Sequence, residues 1–339
     1  MSMTDKNDNE LNWSSRQVLV TGAGGFIGSH LVERLAGEGA SVRAFVRYTS
    51  RADLGLLSLL PAEMLARVEI VAGDLRDVEA VRGAVKGVDT IFHLGALIAI
   101  PYSYVHPREV VDTNVLGTLN VLMAARDHGV RRIVHTSTSE VYGTAQYVPI
   151  DEKHPLQGQS PYSASKIGAD KIVESFVRSF ETPVATLRPF NTYGPRQSAR
   201  AVIPTIITQA LVRDEIRLGS LTPQRDFTFV ADTVDGFMRM ASVDAAVGQE
   251  VNIGADATIS IGDLAQRILR LVGRDLPIVA DDQRKRPAGS EVMRLWADNR
   301  KAAALIGWRP RVSLDEGLAL TIDWVRQNLA RFRPGVYEV

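Results

Sequence analysis

Cysteine is absent from this 339-residue chain, which excludes disulfides, thiolate catalysis and cysteine-ligated zinc. The absence fits a reducing compartment, and a cytoplasmic protein without a metal is expected. Net charge is absent too, with 39 Lys and Arg against 39 Asp and Glu. A nucleic-acid partner normally requires a basic face, so none is expected. Long apolar runs are also missing. Residues 1–13 are polar and acidic, without the apolar stretch of a signal peptide. The stretch Val202–Val212 contains Pro204 and Gln209, so it reads as a helix of a globular fold and not as a membrane span. No repeat or low-complexity tract is visible. What is present is apolar side chain, 45% of the residues, enough to bury a sizeable core.

Short β-branched runs alternate with longer helical patterns through the first half of the chain. Residues 17–20, 42–46, 68–71, 88–94, 133–137 and 184–188 read as strands, and 26–38, 78–86, 110–128 and 162–180 as helices. The strands are continuous apolar runs, the pattern of a sheet covered on both faces. Alternation with helices implies right-handed βαβ units and a parallel sheet. The expected fold is α/β, a Rossmann-type doubly wound sheet over 14–190. A smaller C-terminal substrate-binding lobe follows over 191–335, with some segments returning to the sheet. In that second part the pattern loosens into turns at Gly194-Pro195 and Thr222-Pro223 and helices near 203–213, 232–241, 261–272 and 314–331.

The first strand runs into Thr21-Gly22-Ala23-Gly24-Gly25-Phe26-Ile27-Gly28. Glycine permits a tight strand-to-helix turn and close approach of a pyrophosphate. The helix N-terminus then offers free N–H groups and partial positive charge to the anion. Gly22, Gly25, Phe26, Ile27 and Gly28 are therefore candidate ligands of a nicotinamide dinucleotide. Glycines alone also suit an ordinary turn; the junction between strand and helix is what points to a cofactor. At the second strand's tip an acid would bind the ribose hydroxyl of NAD, whereas Arg suits the 2′-phosphate of NADP. Arg47, Ser50 and Arg51 stand there without an acid, which favours NADP over NAD, although two exposed arginines on a loop are also commonplace. Asp74 and Leu75 follow the third strand, where an Asp suits the adenine amino group. Leu94, Gly95 and Ala96 follow the fourth, where small residues leave room for a ribose. All of these sit at strand C-termini, where open α/β sheets bind ligands.

Tyr162 and Lys166 stand four apart at the start of a helix, so they share a face. An ammonium beside a phenol stabilises the phenolate and would lower the Tyr pKa. The phenolate could then take a proton from a sugar hydroxyl as hydride leaves for nicotinamide. Upstream, Thr138, Ser139 and Glu140 follow a strand. Thr138 suits the hydroxyl to be oxidised. A carboxylate at 140 suits removal of a proton made acidic by an adjacent ketone, although a surface acid or a helix-capping partner would look the same.

Three segments together, GxxGxxG, YxxxK within Ser160–Lys166, and Ser137-Thr138-Ser139-Glu140-Val141-Tyr142-Gly143, resemble the extended short-chain dehydrogenase/reductases that act on nucleotide sugars. The resemblance runs from about Arg16 to Val325. Residues 137–143 are similar to the active-site strand of GDP-mannose 4,6-dehydratases and UDP-glucuronate decarboxylases. Residues 136–201 look most like the sugar-nucleotide 4,6-dehydratases of legionaminic acid pathways, which act on a nucleotide-linked N-acetylglucosamine. The resemblance implies Tyr162 as base at the C4 hydroxyl, supported by Lys166 and with Thr138 positioning that hydroxyl. It implies Glu140 as the base at C5, loss of the C6 hydroxyl as water, and return of hydride to C6. It also implies Asn191 against the diphosphate or sugar, and Arg225 and Arg286 on the diphosphate, for which an Arg fork is suited. The cofactor would be tightly held and regenerated each cycle, and a homodimer through the helices at 110–128 and 162–180 is expected. One departure is that dTDP-glucose 4,6-dehydratases carry an Asp acid where this chain has Ser139. Either Glu140 relays its own proton to the leaving hydroxyl, as the similarity to GDP-mannose 4,6-dehydratases implies, or the reaction is not a dehydration.

Three other functions compete. A 4-epimerase would use Tyr162, Lys166 and Thr138 without needing a base at 140. A uronate decarboxylase should carry a basic residue before Lys166 in its motif, and none is present. A non-catalytic dinucleotide sensor has no need of Tyr162, Lys166 or Glu140, yet all three are here.

Overall fold

The structure, a computed structural model, describes residues 12–334. Most of the acidic opening segment, and the last residue of the expected 191–335 lobe, lie outside the described residues. The strands of the main sheet are β1 (Gln17–Thr21), β2 (Ser41–Arg47), β3 (Glu69–Gly73), β4 (Thr90–His93), β5 (Arg132–Thr136) and β6 (Val184–Pro189). Between them run α1 (Phe26–Gly37), α2 (Ala62–Leu65), α3 (Val78–Val85), α4 (Ile100–Val105), α5 (Pro107–Val111), α6 (Gly117–Asp127) and α7 (Pro161–Phe180). There follow β7 (Asn191–Tyr193), α8 (Val202–Val212), β8 (Ile216–Leu218), β9 (Gln224–Arg225), β10 (Phe227–Phe229) and α9 (Val230–Ser242). The chain ends through β11 (Glu250–Ile253), β12 (Ile259–Ser260), α10 (Ile261–Val272), β13 (Ile278–Ala280), α11 (Arg300–Ile306) and α12 (Leu314–Gln327).

Seven strands form one parallel sheet in the order β11-β6-β5-β4-β1-β2-β3. The order reverses between β1 and β4, the switch point beside which doubly wound sheets bind nucleotides. Side chains alternate across the sheet. Val18, Val20, Phe92 and Val134 pack with Leu31 and Leu35 of α1 and Phe237 of α9 on one face. Leu19, Ile91 and Ile133 pack with Val81 of α3, Val121 of α6 and Val173 of α7 on the other. Each fully buried Leu or Ile contributes about 1.5–3 kcal/mol. Two-sided burial is the reason the strands read as unbroken apolar runs.

Two differences from the sequence reading affect the site. The helix expected over 110–128 is interrupted by a π-helical turn at Asp112–Leu116. The turn sets Asn114 inward, where it accepts from Leu97 N–H (2.8 Å) and donates to the Leu97 carbonyl and Ser165 Oγ (2.9 Å each). Also, the sheet's edge strand β11 comes from the late part of the chain, where a return to the sheet is expected but no strand is read from the sequence. The minor sheets pair β7 with β10, β9 with β12 and β8 with β13.

Candidate active site

The turn from β1 into α1 closes on itself. Gly22 has φ +70°, and a Cβ there would lie 2.8 Å from the Gly95 nitrogen; a Cβ on Gly28 would collide with the Gly22 carbonyl. Side chains are thus excluded from both. The N–H groups of Phe26 and Ile27 fall in the first turn of α1, where no intrahelical carbonyl reaches them. Bare backbone and a free helix N-terminus fit a pyrophosphate. Beneath the turn runs a directed hydrogen-bond chain. Thr118 donates to the Asn114 carbonyl (2.6 Å), so the 3.0 Å contact from His93 Nε2 to Thr118 Oγ1 is a donation by His93. His93 Nδ1 then accepts from Thr21 Oγ1 (2.8 Å), which itself accepts from Gly95 N–H (3.0 Å). Burial holds His93 well below its usual pKa, in keeping with this neutral tautomer. Leu75 is buried and Leu94 and Ala96 half-buried around Gly95.

The tips of β2 and β3 are open. Arg47 is exposed and lies 3.5 Å from Glu109; Ser50 and Arg51 are exposed in the following loop. Asp74, expected to meet an adenine amino group, is gripped by Arg76 (2.7 and 3.0 Å), which holds its carboxyl below the usual range. Arg76 also approaches Glu109 (3.8 Å), and Glu109 accepts from Tyr102 (2.5 Å).

The chemical end lies after β5. Thr138 caps a short helical turn, Ser139–Tyr142, by accepting from Glu140 N–H (3.2 Å). Gly143, at φ +62°, follows it. Ser139 is buried and Glu140 half-buried. Helix α7 begins at a capping box, with Ser160 and Ser163 bonding each other's backbone N–H and Pro161 in the first turn. Tyr162 and Lys166 thus emerge from a fixed helix start, both buried. Thr138 faces the Tyr162 phenol, and the Glu140 carboxylate is close enough for its charge to act on it. The structure therefore brings Thr138, Glu140 and Tyr162 together.

It also revises the expected electrostatics. The phenol is raised, not lowered, above its usual pKa: burial is the largest cause and Glu140 adds to it, with Thr138 opposing. Lys166 donates to the Thr136 carbonyl (2.6 Å) and is itself brought down to about 8 by burial. Desolvation sets the sign for the phenol, and only the Thr138 hydrogen bond opposes it.

Arg225 is buried on β9. It donates to Glu291 (3.2 Å) and to the Gln224 carbonyl (3.0 Å), and Glu140 and Arg286 both act on its charge. Arg286 lies 3.9 Å from Glu140, and its buried Nη1 lacks a hydrogen-bond partner. Asn191 donates to the Asp226 carbonyl (3.4 Å), beside Arg225. Sequence reasoning missed Glu291, the His93 chain, and the group formed by His135, Ser137, Asp170 and Arg188 beneath Lys166. The one readable signal of that group was Asp170, a further helical turn beyond Lys166.

The GDP-mannose 4,6 dehydratase family matches residues 19–321. The chain is 35% identical to the UDP-glucose 4-epimerase of Mycolicibacterium smegmatis over 322 residues, 92% of this chain and 99% of that protein. It is 35% identical to the dTDP-glucose 4,6-dehydratase of Streptomyces antibioticus over 326 residues, 94% of each. Among solved structures it resembles the dTDP-glucose 4,6-dehydratase DesIV of Streptomyces venezuelae, with NAD and TYD bound. The TM-score is 0.83 at 31% identity, over 94% of this chain and 99% of that one. These relatives divide between epimerases and dehydratases.

Proposed function

The chain belongs to the sugar-nucleotide epimerase/dehydratase family of extended short-chain dehydrogenase/reductases, and from this premise we propose that it is a 4,6-dehydratase acting on a nucleotide-linked hexose. The observation that carries the reading is Glu140, a carboxylate whose charge reaches the Tyr162 phenol. It also lies within 3.9 Å of Arg286. An epimerase needs one acid–base group at C4; elimination across C5 and C6 needs a second.

Nicotinamide held against the glycine turn would supply reversible hydride transfer. Tyr162, ionised once a bound oxidised nicotinamide adds its positive charge to the pocket, would take the proton of the C4 hydroxyl, which Thr138 orients. With C4 at the ketone level the C5 hydrogen is acidic, and Glu140 removes it. Ser139 has no proton of suitable acidity to give, so Glu140 passes its proton to the departing C6 oxygen, and water is lost. The C5–C6 double bond left behind would be saturated by the hydride returning to C6 and a proton returning to C5, the latter balanced by the proton that Tyr162 took from the C4 hydroxyl. Arg225 and Arg286 hold the diphosphate, and Asn191 the adjoining sugar or phosphate oxygens. The resemblance of residues 136–201 supports UDP- or GDP-N-acetylglucosamine as substrate. Arg47 and the lack of an acid on β2 support NADP; the NAD bound in the Streptomyces venezuelae relative supports NAD. Exposed Val111, Leu116, Met123 and Phe180 on the helices from α5 to α7 support a homodimer, and the lack of cysteine supports a cytoplasmic setting. No described helix is long and apolar enough to cross a membrane.

The second reading, a 4-epimerase, is favoured by Ser139, which stands where dTDP-glucose dehydratases carry their acid. Mass spectrometry together with ¹H NMR of the products after incubation with UDP- and GDP-N-acetylglucosamine decides between them. Loss of one water without net cofactor turnover supports the dehydratase; a product of unchanged mass with inverted C4 overturns it.

A further inference from the structure

Helix α7 presents a third charged residue on the Tyr162–Lys166 face. Asp170 lies one turn past Lys166, and its side chain is 1% exposed. Donors from two strands converge on it. Oδ2 accepts from Ser137 Oγ (2.7 Å) and from Arg188 Nη2 and Nε (3.0 and 3.3 Å). Oδ1 accepts from His135 Nε2 (3.2 Å). We propose that Asp170 is the positioning residue of this site: its carboxylate locks the end of β5 to α7 and supplies the negative charge that keeps Lys166 a cation. The proposal rests on the Tyr162–Lys166 pair being the reactive centre described above.

The geometry makes the lock reciprocal. Ser137, immediately before Thr138, is tied to helix residue 170, while helix residue 166 is tied to the Thr136 carbonyl on the strand. Two opposed ties fix the turn carrying Thr138 and Glu140 against the helix carrying Tyr162. Neither tie touches a reacting atom.

The charge argument follows from the neighbours. Lys166 faces His93 from β4, His135 from β5 and Asp170 from its own helix; behind Asp170 stands Arg188 from β6, and Glu140 and Asp170 both act on Tyr162. Burial holds both histidines below their usual pKa, and the phenol is held neutral. Arg188 also pairs with Glu250 (3.0 Å), so Asp170 is not spent on Arg188 alone. Asp170 is itself held well below the usual carboxylate range. Burial opposes this, but the His135 hydrogen bond and the charges of Arg188 and Lys166 outweigh it. Among the described residues it is the anion that offsets the burial of Lys166.

The test reads Lys166 directly. The chain has seven lysines, so ¹³Cε-lysine NMR titration of the intact protein resolves Lys166, with its signal assigned by Lys166→Met. Asp170→Asn should lower the Lys166 midpoint by about one pH unit or more, and Asp170→Glu should hold it near the wild-type value. An unchanged midpoint in Asp170→Asn overturns the charge role. Ser137→Ala keeps the carboxylate and three of its four bonds. It should cut kcat about tenfold, the value of one such hydrogen bond, with KM and the Lys166 midpoint unmoved. Wild-type kcat in Ser137→Ala overturns the lock, and this arm stands even if Asp170→Asn does not fold. The titration needs no substrate, so it decides the charge role even if the wild type converts no nucleotide sugar.

Discussion

The two ends of the ligand-binding edge of the sheet are built differently. At the tips of β2 and β3, Arg47, Ser50 and Arg51 are exposed, and the charges pair on the surface through Glu109 and Arg76. After β5, Tyr162, Lys166, Asp170 and Arg225 are all buried; Lys166, Asp170 and Arg225 are committed to named partners, while His135 Nδ1, Thr136 Oγ1 and Arg286 Nη1 have no hydrogen-bond partner. Exposed pairs are screened and cheap to rearrange; buried ones are expensive to disturb because an orphaned charge has no water to turn to. One end can therefore change its side chains with few structural consequences, while the other tolerates little change in its bond-making groups.

The sharpest way to break this contrast is Glu140→Gln at the closed end. It should lower formation of dehydrated product by about 10²–10⁴-fold, the usual contribution of a positioned acid–base group, with dinucleotide binding by fluorescence unchanged. Product at the wild-type rate would remove Glu140 from the chemistry. Next, Arg225→Ala deletes a buried guanidinium proposed to grip the diphosphate. It should raise KM for the nucleotide sugar about 10- to 100-fold, in line with charged hydrogen bonds; an unchanged KM would release Arg225 from substrate binding. A smaller effect concerns stability. The folded pKa of Lys166 is lowered from 10.5 to about 8. Between those values the unfolded chain binds more protons, so stability rises with pH across that window. Urea midpoints at the two ends of the window should show this rise in the wild type and lose it in Lys166→Met. Smallest is Arg47→Ala at the open end. It should weaken NADP severalfold more than NAD, and about 0.5 M salt should narrow the difference by screening. Equal losses for both cofactors would remove the 2′-phosphate argument.

The contrast also separates what sequence can and cannot convey. The first six strands were legible because each is a local apolar run, and the glycine turn because its spacing is local. Tyr162, Lys166 and Asp170 share a four-residue step and so a helix face, yet nothing local says that Ser137, His135 and Arg188 from two strands will meet there. The same lack hid β11, a four-residue strand beginning with Glu250 and containing a polar Asn252, whose place is set by pairing with β6. The raised phenol was misjudged for a related reason: four-residue spacing announces a neighbouring ammonium but not the depth of burial, and depth decides the sign.

That late edge strand governs how the chain can be assembled. β6 ends at Pro189, but its partner begins at Glu250, so a ribosome must deliver some sixty further residues before the sheet closes. Until then β6 offers an unpaired backbone edge to solvent and to other nascent chains. Cutting the gene after the last crossover helix would therefore yield a fragment prone to self-association and not a free-standing module; completion of the sheet waits on translation of the later part of the chain.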